Sequence, residues 1–311
     1  MTATRRRSAK SKSSLPAGEG SQTALAAGPR GERRSPHRPK FSEGWRKTIE
    51  PDTGSASVIV ADEIDHIDIW AAHPGSLLSA HSCLKLLTDD DWLSLQQLQN
   101  PAIRNSATAA RILLRLGLSR AVEREVAPSD WTFERTEHSK PIVANGLPKI
   151  NFSVAHVDEL SVVAVSKNLE IGVDVESVDQ NVSESVMADF THTDEQRAVS
   201  DLLPRQKVRE FLRFWTLKEA YTKMIGVGHS LDFNTIKFVL DPLALKSAGE
   251  APRPKMPPQF ESFYIPVDHG LYHVSLAIEH PELRAASSEV QIISLAKPKS
   301  IGGATHAHGR N

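Results

Sequence analysis

Two acidic side chains lie on one face of a stretch that otherwise resembles a buried β-strand. The stretch IGVDVES, residues 171–177, carries apolar side chains on one side and Gly172, Asp174 and Glu176 on the other. Side chains alternate across a strand, so the two carboxylates project from the same surface, roughly 7 Å apart. Like charges repel, which indicates a positive species between them. A solvated edge-strand face is the alternative that this stretch alone leaves open.

A third carboxylate lies in REFLRFWTLKEAYTKMIGVG, residues 209–228, which is typical of a helix that ends at its glycines. Residues four apart share a helix face. One row of this helix is therefore Phe211, Trp215, Glu219 and Lys223. If the aromatic residues pack inward, Glu219 reaches the edge of the core. The alternative is an exposed Glu–Lys pair that stabilises the helix by only a few tenths of a kcal/mol.

Three carboxylates that converge on one point form a site for a hard divalent cation. Mg²⁺ keeps several waters and completes its shell with phosphate oxygens, so such a site implies a phosphate-bearing substrate. A diphosphate bridged by the metal, with Lys218 or Lys223 near its leaving group, suits phosphoryl transfer, because that chemistry depends on positioning and charge stabilisation.

Strand-like and helical stretches recur in both halves of the chain. HIDIWAAH, KINFSVAH, LSVVAVSK and YHVSLAIE are typical of strands, and residues 106–125 and about 184–225 are typical of helices. This alternation predicts an α+β protein of two similar-sized lobes, with a boundary near a turn at Asn168.

Composition separates the tails from the rest. The chain has 311 residues, is 40% hydrophobic and carries a formal net charge of -1, which gives no global attraction to nucleic acid or acidic lipid. We expect disordered tails at residues 1–55 and 299–311, an N-terminal lobe at 56–170 and a C-terminal lobe at 171–298. The single Cys83 and the lack of a long apolar run predict a cytoplasmic protein without a membrane span.

IGVDVES followed by FWTLKEAYTK resembles the paired signature of the Sfp-type 4′-phosphopantetheinyl transferases. Upstream, HSKPIV (138–143) is similar to the family's Gly-Lys-Pro element and INFSVAH (150–156) to its Phe-Asn-x-Ser-His element. The resemblance spans about residues 60–280. It implies a pseudo-dimer of two related α+β lobes that binds coenzyme A in the cleft between them and transfers its phosphopantetheine arm to a serine of a carrier protein.

The resemblance also implies roles for individual residues. The Mg²⁺ ligands would be Asp174, Glu176 and Glu219, and Glu219 would also be the base for the carrier serine, with a metal-bound water as the alternative base. Lys223 would stabilise or protonate the departing 3′,5′-ADP. Contacts to coenzyme A are assigned to Lys140, His156 and Lys218. The expected partners are coenzyme A and an apo acyl- or peptidyl-carrier protein, and we expect a monomer.

Four positions depart from the family pattern, namely Ser139, Ser153, Ala155 and His229. They bear on nucleotide binding and leave the three acids intact. A non-catalytic carrier-protein or coenzyme A binding module with the same fold is the alternative function. A nucleic-acid-binding protein led by the basic cluster Arg5–Arg7 has only composition in its favour, since no aromatic residues interleave that cluster.

Overall fold

The computed structural model describes residues 46–48, 66–138, 140–267, 270–279 and 289–295, all within the unit Phe41–Asn311. Most of the segment predicted as the N-terminal tail and all of the predicted C-terminal tail lie outside the described residues. Among the described residues, no helix combines the length and the apolar character needed to cross a bilayer.

Strands and helices alternate along the described chain. The strands are β1 (Arg46–Thr48), β2 (His66–Ala72), β3 (Phe133–Arg135), β4 (Pro141–Val143), β5 (Asn151–Val157), β6 (Leu160–Ser166), β7 (Glu170–Ser177), β8 (Ile236–Leu240), β9 (Leu243–Ala248), β10 (Pro258–Val267), β11 (Gly270–Glu279) and β12 (Glu289–Leu295). The helices are α1 (Pro74–Leu78), α2 (His81–Leu84), α3 (Asp89–Gln96), α4 (Pro101–Ala121), α5 (Glu184–Phe190), α6 (Thr193–Val199) and α7 (Pro204–Ile225). Short 3-10 turns occupy Pro128–Asp130, Gly228–Ser230 and Phe233–Thr235.

Two main sheets organise the fold. The first has the order β1-β12-β2-β6-β5, with β12 parallel to both β1 and β2 and the other pairs antiparallel. The second is antiparallel, with the order β10-β11-β7. Two-stranded ribbons β3-β4 and β8-β9 complete the architecture. This confirms the predicted α+β class.

Each main sheet carries one long helix, and the two sheets share a core. Apolar residues of β2, β5 and β6 pack against those of β7, β10 and β11 in one cluster. Helix α4 buries its apolar side with β2, β5 and β6 in a second cluster, and α7 packs with β8 and β11 in a third. A sheet with its long helix thus occurs twice, as expected for two related lobes.

The sheets also meet at their edges. The backbone N–H of Val173 in β7 donates to the Ser153 hydroxyl in β5, at 2.9 Å. Ser153, one of the departures from the family pattern, therefore joins the two lobes. Ala155, another departure, is buried in the shared core with an exposed fraction of 5%. The residue at 139 and the side chain at 229 lie outside the described residues.

The division of the chain differs from the expected one at both ends. Strand β12 returns to the first sheet, although residues 171–298 were assigned to the C-terminal lobe. Strand β1, which lies within the predicted disordered tail, pairs with β12. Main-chain hydrogen bonds can add a strand to a sheet edge whatever its composition, so the apolar content of residues 1–55 did not predict this pairing.

Candidate active site

Helix α7 lies directly on the acidic face of β7. Ile171, Val173 and Val175 point into the shared core, so Gly172, Asp174 and Glu176 face the helix. A Cβ atom added at Gly172 would lie 2.0 Å from the Ala220 carbonyl oxygen, a distance that no real contact tolerates. The glycine therefore allows the backbones of strand and helix to approach closely, which brings the two acids next to side chains of α7.

Asp174 lies nearest to the helix cation. Its carboxylate is buried, and Oδ1 accepts a hydrogen bond from Lys223 Nζ at 2.6 Å. Lys223 Nζ also donates to the Val173 carbonyl at 3.1 Å. Burial raises the pKa of Asp174 to about 6, with Lys223 opposing the shift and Glu219 adding to it. Asp174 Oδ2 is buried with no hydrogen-bond partner among the described residues.

Glu176 is half-buried one step further along the strand. Its Oε2 accepts a hydrogen bond from Gln180 Nε2 at 2.8 Å, and the Trp215 side chain provides another. Burial and the neighbouring charge of Asp174 together raise the pKa of Glu176 to about 7. Two acids with raised pKa values on one face are disfavoured as anions, and a nearby cation would reverse that penalty.

Glu219 projects from α7 and is 7% exposed. Its charge contributes to the raised pKa of Asp174, so the two carboxylates lie within electrostatic reach of each other. Asp174 is thus within electrostatic reach of Glu176, Glu219 and Lys223. Among the described residues, however, no three His, Cys, Asp or Glu groups are assembled at the spacing of a metal site.

The donor set nevertheless fits a hard cation. Carboxylate oxygens are the ligands that Mg²⁺ prefers. The buried Oδ2 of Asp174 lacks a partner, although buried polar atoms are nearly always bonded. Lys223 and Gln180 bond one oxygen each of the two strand acids, Asp174 Oδ1 and Glu176 Oε2.

His156 connects the other lobe to this cluster. Its Nδ1 lies 3.0 Å from the Ser106 hydroxyl of α4, although His156 as a whole residue is exposed. Desolvation of the ring, together with the charges of Lys223 and Arg111, lowers the pKa of His156 to about 4. The ring is therefore neutral at neutral pH and lies within the field of Lys223.

Lys140 lies at the C-terminal end of α7. Its Nζ donates to Glu170 Oε2 at 3.1 Å and to the Met224 carbonyl at 3.0 Å. Gly226 ends the helix in the left-handed region, at φ 76°, and a Cβ there would lie 3.2 Å from Lys140 Cδ. Lys140 is thus adjacent to the last turn of α7, which carries Lys223.

Lys218 does not join the cluster, and its assignment to coenzyme A is corrected. It is fully buried, and its ammonium group donates to Glu195 Oε2 at 2.5 Å and to the carbonyls of Phe190 and Phe233. These three acceptors match the three protons of an ammonium group. Burial lowers the pKa of Lys218, and Glu195 opposes that shift. The side chain therefore anchors α6 to α7.

The structure adds residues that the sequence reasoning missed. Gln180 and Trp215 hold Glu176 in place. Thr216 on α7 contacts His273 and Ser275 on β11, on the face that carries the acids. The alternation of polar and apolar residues in YHVSLAIE was a signal for this face, since His273 and Ser275 are two apart on an otherwise apolar strand.

Fold and site together define a two-lobed α+β protein with an acidic cluster between a strand and a long helix of its second lobe. Comparison with known proteins agrees with this class. Residues 170–265 match the 4′-phosphopantetheinyl transferase superfamily. The chain is 31% identical over 175 residues to the 4′-phosphopantetheinyl transferase HetI of Nostoc sp., an alignment that covers 55% of this chain and 71% of HetI. The chain belongs to the 4′-phosphopantetheinyl transferase superfamily.

Other relatives are matched over less of their length. A phosphopantetheinyl transferase of Thraustochytrium sp. is 28% identical over 151 residues, which cover 44% of this chain and 52% of that protein. The L-aminoadipate-semialdehyde dehydrogenase-phosphopantetheinyl transferase of Xenopus laevis is 28% identical over 194 residues, which cover 57% of this chain and 63% of that protein. The chain thus spans between about half and two thirds of these two relatives.

Proposed function

We propose that this protein transfers the 4′-phosphopantetheine arm of coenzyme A to a serine of an acyl- or peptidyl-carrier protein and releases 3′,5′-ADP. The observation that carries the proposal is the convergence of Asp174, Glu176 and Glu219 beside Lys223, in a chain of this superfamily. The names of these relatives agree with the activity.

The reaction is Mg²⁺-dependent in this proposal, and the ion is held by Asp174, Glu176 and Glu219. When bound, Mg²⁺ neutralises charge on the pyrophosphate of coenzyme A. The buried Oδ2 of Asp174 and the raised pKa values of Asp174 and Glu176 support a cation at this place. Binding requires the deprotonated acids, so cation affinity rises as the pH rises through the pKa values of Asp174 and Glu176.

The chemical step forms a bond between the carrier serine oxygen and the β-phosphorus of coenzyme A and breaks the bond from that phosphorus to the bridging oxygen. 3′,5′-ADP leaves with the bridging oxygen. Glu219 takes the serine proton, since it is the acid that α7 contributes. Lys223, one helical turn further on, stabilises or protonates the departing phosphate.

Lys140 and His156 contact the nucleotide end of coenzyme A in this proposal. Lys140 exchanges its bond to the half-exposed Glu170 for a phosphate oxygen, at little cost because the exposed pair contributes little. His156 is neutral and exposed, so it donates a single hydrogen bond rather than a charge. We also propose a cytoplasmic monomer that binds no nucleic acid, in keeping with the net charge of -1.

The test incubates the full chain with coenzyme A, Mg²⁺ and a panel of apo-carrier proteins, and measures the carriers by intact mass spectrometry. We expect addition of one phosphopantetheine mass to at least one carrier, and loss of the addition on chelation with EDTA. A carrier whose acceptor serine is replaced by alanine is the control. Measurable coenzyme A binding without transfer to any carrier would instead identify a non-catalytic binding module with this fold.

A further inference from the structure

A buried polar network lies beneath the acidic cluster. On α7, the Thr216 hydroxyl is 2.9 Å from His273 Nδ1 and 2.8 Å from Ser275 Oγ, both on β11. On β10, Ser262 Oγ is 2.7 Å from His273 Nε2. Thr216 and Ser275 are 0% exposed and His273 is 1% exposed. The network therefore ties α7 to two strands of the second sheet, with the Thr216 bonds buried and the Ser262 bond partly buried.

The network is in register with the metal-site candidates. In the antiparallel pair of β7 and β11, Ser275 is opposite Asp174 and His273 is opposite Glu176. Directly opposite residues share a sheet face, so the network and the acids lie side by side under α7. Thr216 is also three residues before Glu219, hence on the same side of the helix.

A second contact lies at the other half of the helix. The backbone of α7 at Ala220 and Met224 lies directly on Gly172 of β7. That contact sets how closely the helix approaches the sheet, but steric contact alone allows a helix to slide or roll. Hydrogen bonds have defined lengths and angles, so the Thr216 network restricts those movements. Glu219 lies between the two contacts.

A neutral imidazole suits this role. Burial lowers the pKa of His273 to about 3, and Arg213 contributes to the shift, so the ring stays uncharged. One ring nitrogen donates and the other accepts, and both partners are hydroxyls that can do either. Thr216 also donates to the Arg213 carbonyl at 3.2 Å, which leaves its oxygen free to accept from the ring and from Ser275. The whole network can thus be satisfied without a buried charge.

We propose that Thr216 and His273 are positioning residues that hold α7 in the rotation that places Glu219 over Asp174. The inference deepens the proposed function and rests on it for the identity of the reaction. It goes beyond packing, because apolar side chains of similar volume would fill the same space without fixing the rotation of the helix. A displacement of about 1 Å at a reacting group costs up to roughly 100-fold in rate.

The test replaces the network with apolar residues. The combined variant Thr216→Val, His273→Leu, Ser262→Ala and Ser275→Ala leaves no network member unpaired, so we expect a melting temperature close to that of the wild type. Thr108→Val is the matched control, because Thr108 is a buried helical threonine of α4 whose hydroxyl bonds only the Arg104 carbonyl of its own helix among the described residues. Mg²⁺ binding is measured by calorimetry, and transfer by mass spectrometry over a range of Mg²⁺ and coenzyme A concentrations.

On the proposal, the combined variant has a kcat lower by roughly 10- to 100-fold and needs several-fold more Mg²⁺ for half-saturation. Its KM for coenzyme A stays at the wild-type value. The Thr108→Val control keeps the wild-type kcat, KM and Mg²⁺ requirement. A folded combined variant with wild-type kcat and Mg²⁺ dependence overturns the inference. If that variant does not fold, Thr216→Val and Ser262→Ala alone are judged by the same criteria.

The direct Mg²⁺ titration separates the inference from the proposed function. Should the wild type bind Mg²⁺ but transfer nothing, the proposed function fails, and weaker Mg²⁺ binding by the network variants still supports the positioning role. Transfer by the wild type together with unchanged variants refutes the positioning role alone. A wild type that binds no Mg²⁺ overturns both.

Discussion

Lys223 Nζ lies 2.6 Å from Asp174 Oδ1, so the cation in the last turn of α7 is bonded to the first acid of the β7 pair. This bond joins the two sequence motifs, which are separated by some forty residues in the chain. It also means that the charge of Lys223 partly offsets burial of Asp174, whose pKa is about 6. Substitutions at this strand–helix contact separate metal binding from proton transfer.

The acids of strand and helix respond differently to amide substitution. On the proposed function, Asp174→Asn removes a charge that holds the metal and pairs with Lys223 but takes no proton, so its lost activity recovers in part at high Mg²⁺ by mass action. Glu219→Gln keeps one ligand oxygen but accepts no proton, and it loses roughly 10²- to 10⁴-fold in rate without recovery. The measurement is the transfer rate across a Mg²⁺ titration at several pH values.

Glu184 is an exposed carboxylate on α5, so Glu184→Gln is the matched control for these amide substitutions. We expect this variant to keep the wild-type transfer rate. Recovery of Glu219→Gln to near the wild-type rate at high Mg²⁺ would show that Glu219 is a ligand only.

Lys218 stabilises the fold rather than the complex with coenzyme A. Lys218→Met leaves Glu195 buried without its cation, which destabilises the protein by about 3–5 kcal/mol. Adding Glu195→Gln removes that buried charge and recovers part of the loss. Lys140→Met has the opposite profile, because its ion pair with Glu170 is partly exposed, so stability changes little and coenzyme A binding weakens.

Urea unfolding and calorimetry with coenzyme A distinguish these two lysines. Wild-type stability with weakened coenzyme A binding in Lys218→Met would restore the original assignment of Lys218 to the nucleotide.

Gly172 is required by the approach of α7 to β7. Gly172→Ala places a methyl group 2.0 Å from the Ala220 carbonyl oxygen, so the helix must move. We expect the free energy of unfolding to fall by roughly 3 kcal/mol or more, together with weaker Mg²⁺ binding. Gly146→Ala is the comparison, because nothing lies within 4 Å of an added Cβ and only its φ of +91° is strained. In that variant the free energy of unfolding falls by about 1–2 kcal/mol, and the Mg²⁺ affinity is unchanged. Equal losses in the two variants would contradict the steric reason.

His273 makes stability depend on pH. Its folded pKa is about 3, below the ordinary value of 6.5, so between these values the unfolded chain binds one more proton than the folded protein. The stability that the neutral, buried His273 ring contributes is therefore fully present above pH 6.5. The free energy of unfolding then decreases as the pH falls toward 3, by up to about 1.4 kcal/mol per pH unit. His273→Leu lacks this loss. Urea unfolding of both proteins at pH 7, 6 and 5 measures the difference, and parallel curves would refute a buried neutral ring.

Local sequence patterns predicted much of the site. The alternation in residues 171–177 placed Asp174 and Glu176 on one strand face, and the four-residue spacing placed Glu219 and Lys223 on one helix face. Gly226 ends α7 where the glycines indicated. The same helical spacing separates Lys218 from Lys223, since five residues correspond to about 140° around the helix, and the two side chains do diverge.

Other features depended on segments distant in the chain. The return of β12 to the first sheet, the Ser153 contact with β7 and the pairing of Lys218 with Glu195 each join residues that no periodicity relates. The sequence by itself determined the α+β class, the faces of β7 and α7 and the superfamily motifs, because these depend on local patterns of neighbouring residues. Only the tertiary structure decided which lysine reaches the acids and which is buried, because that choice depends on how closely α6 and β7 pack against opposite sides of α7.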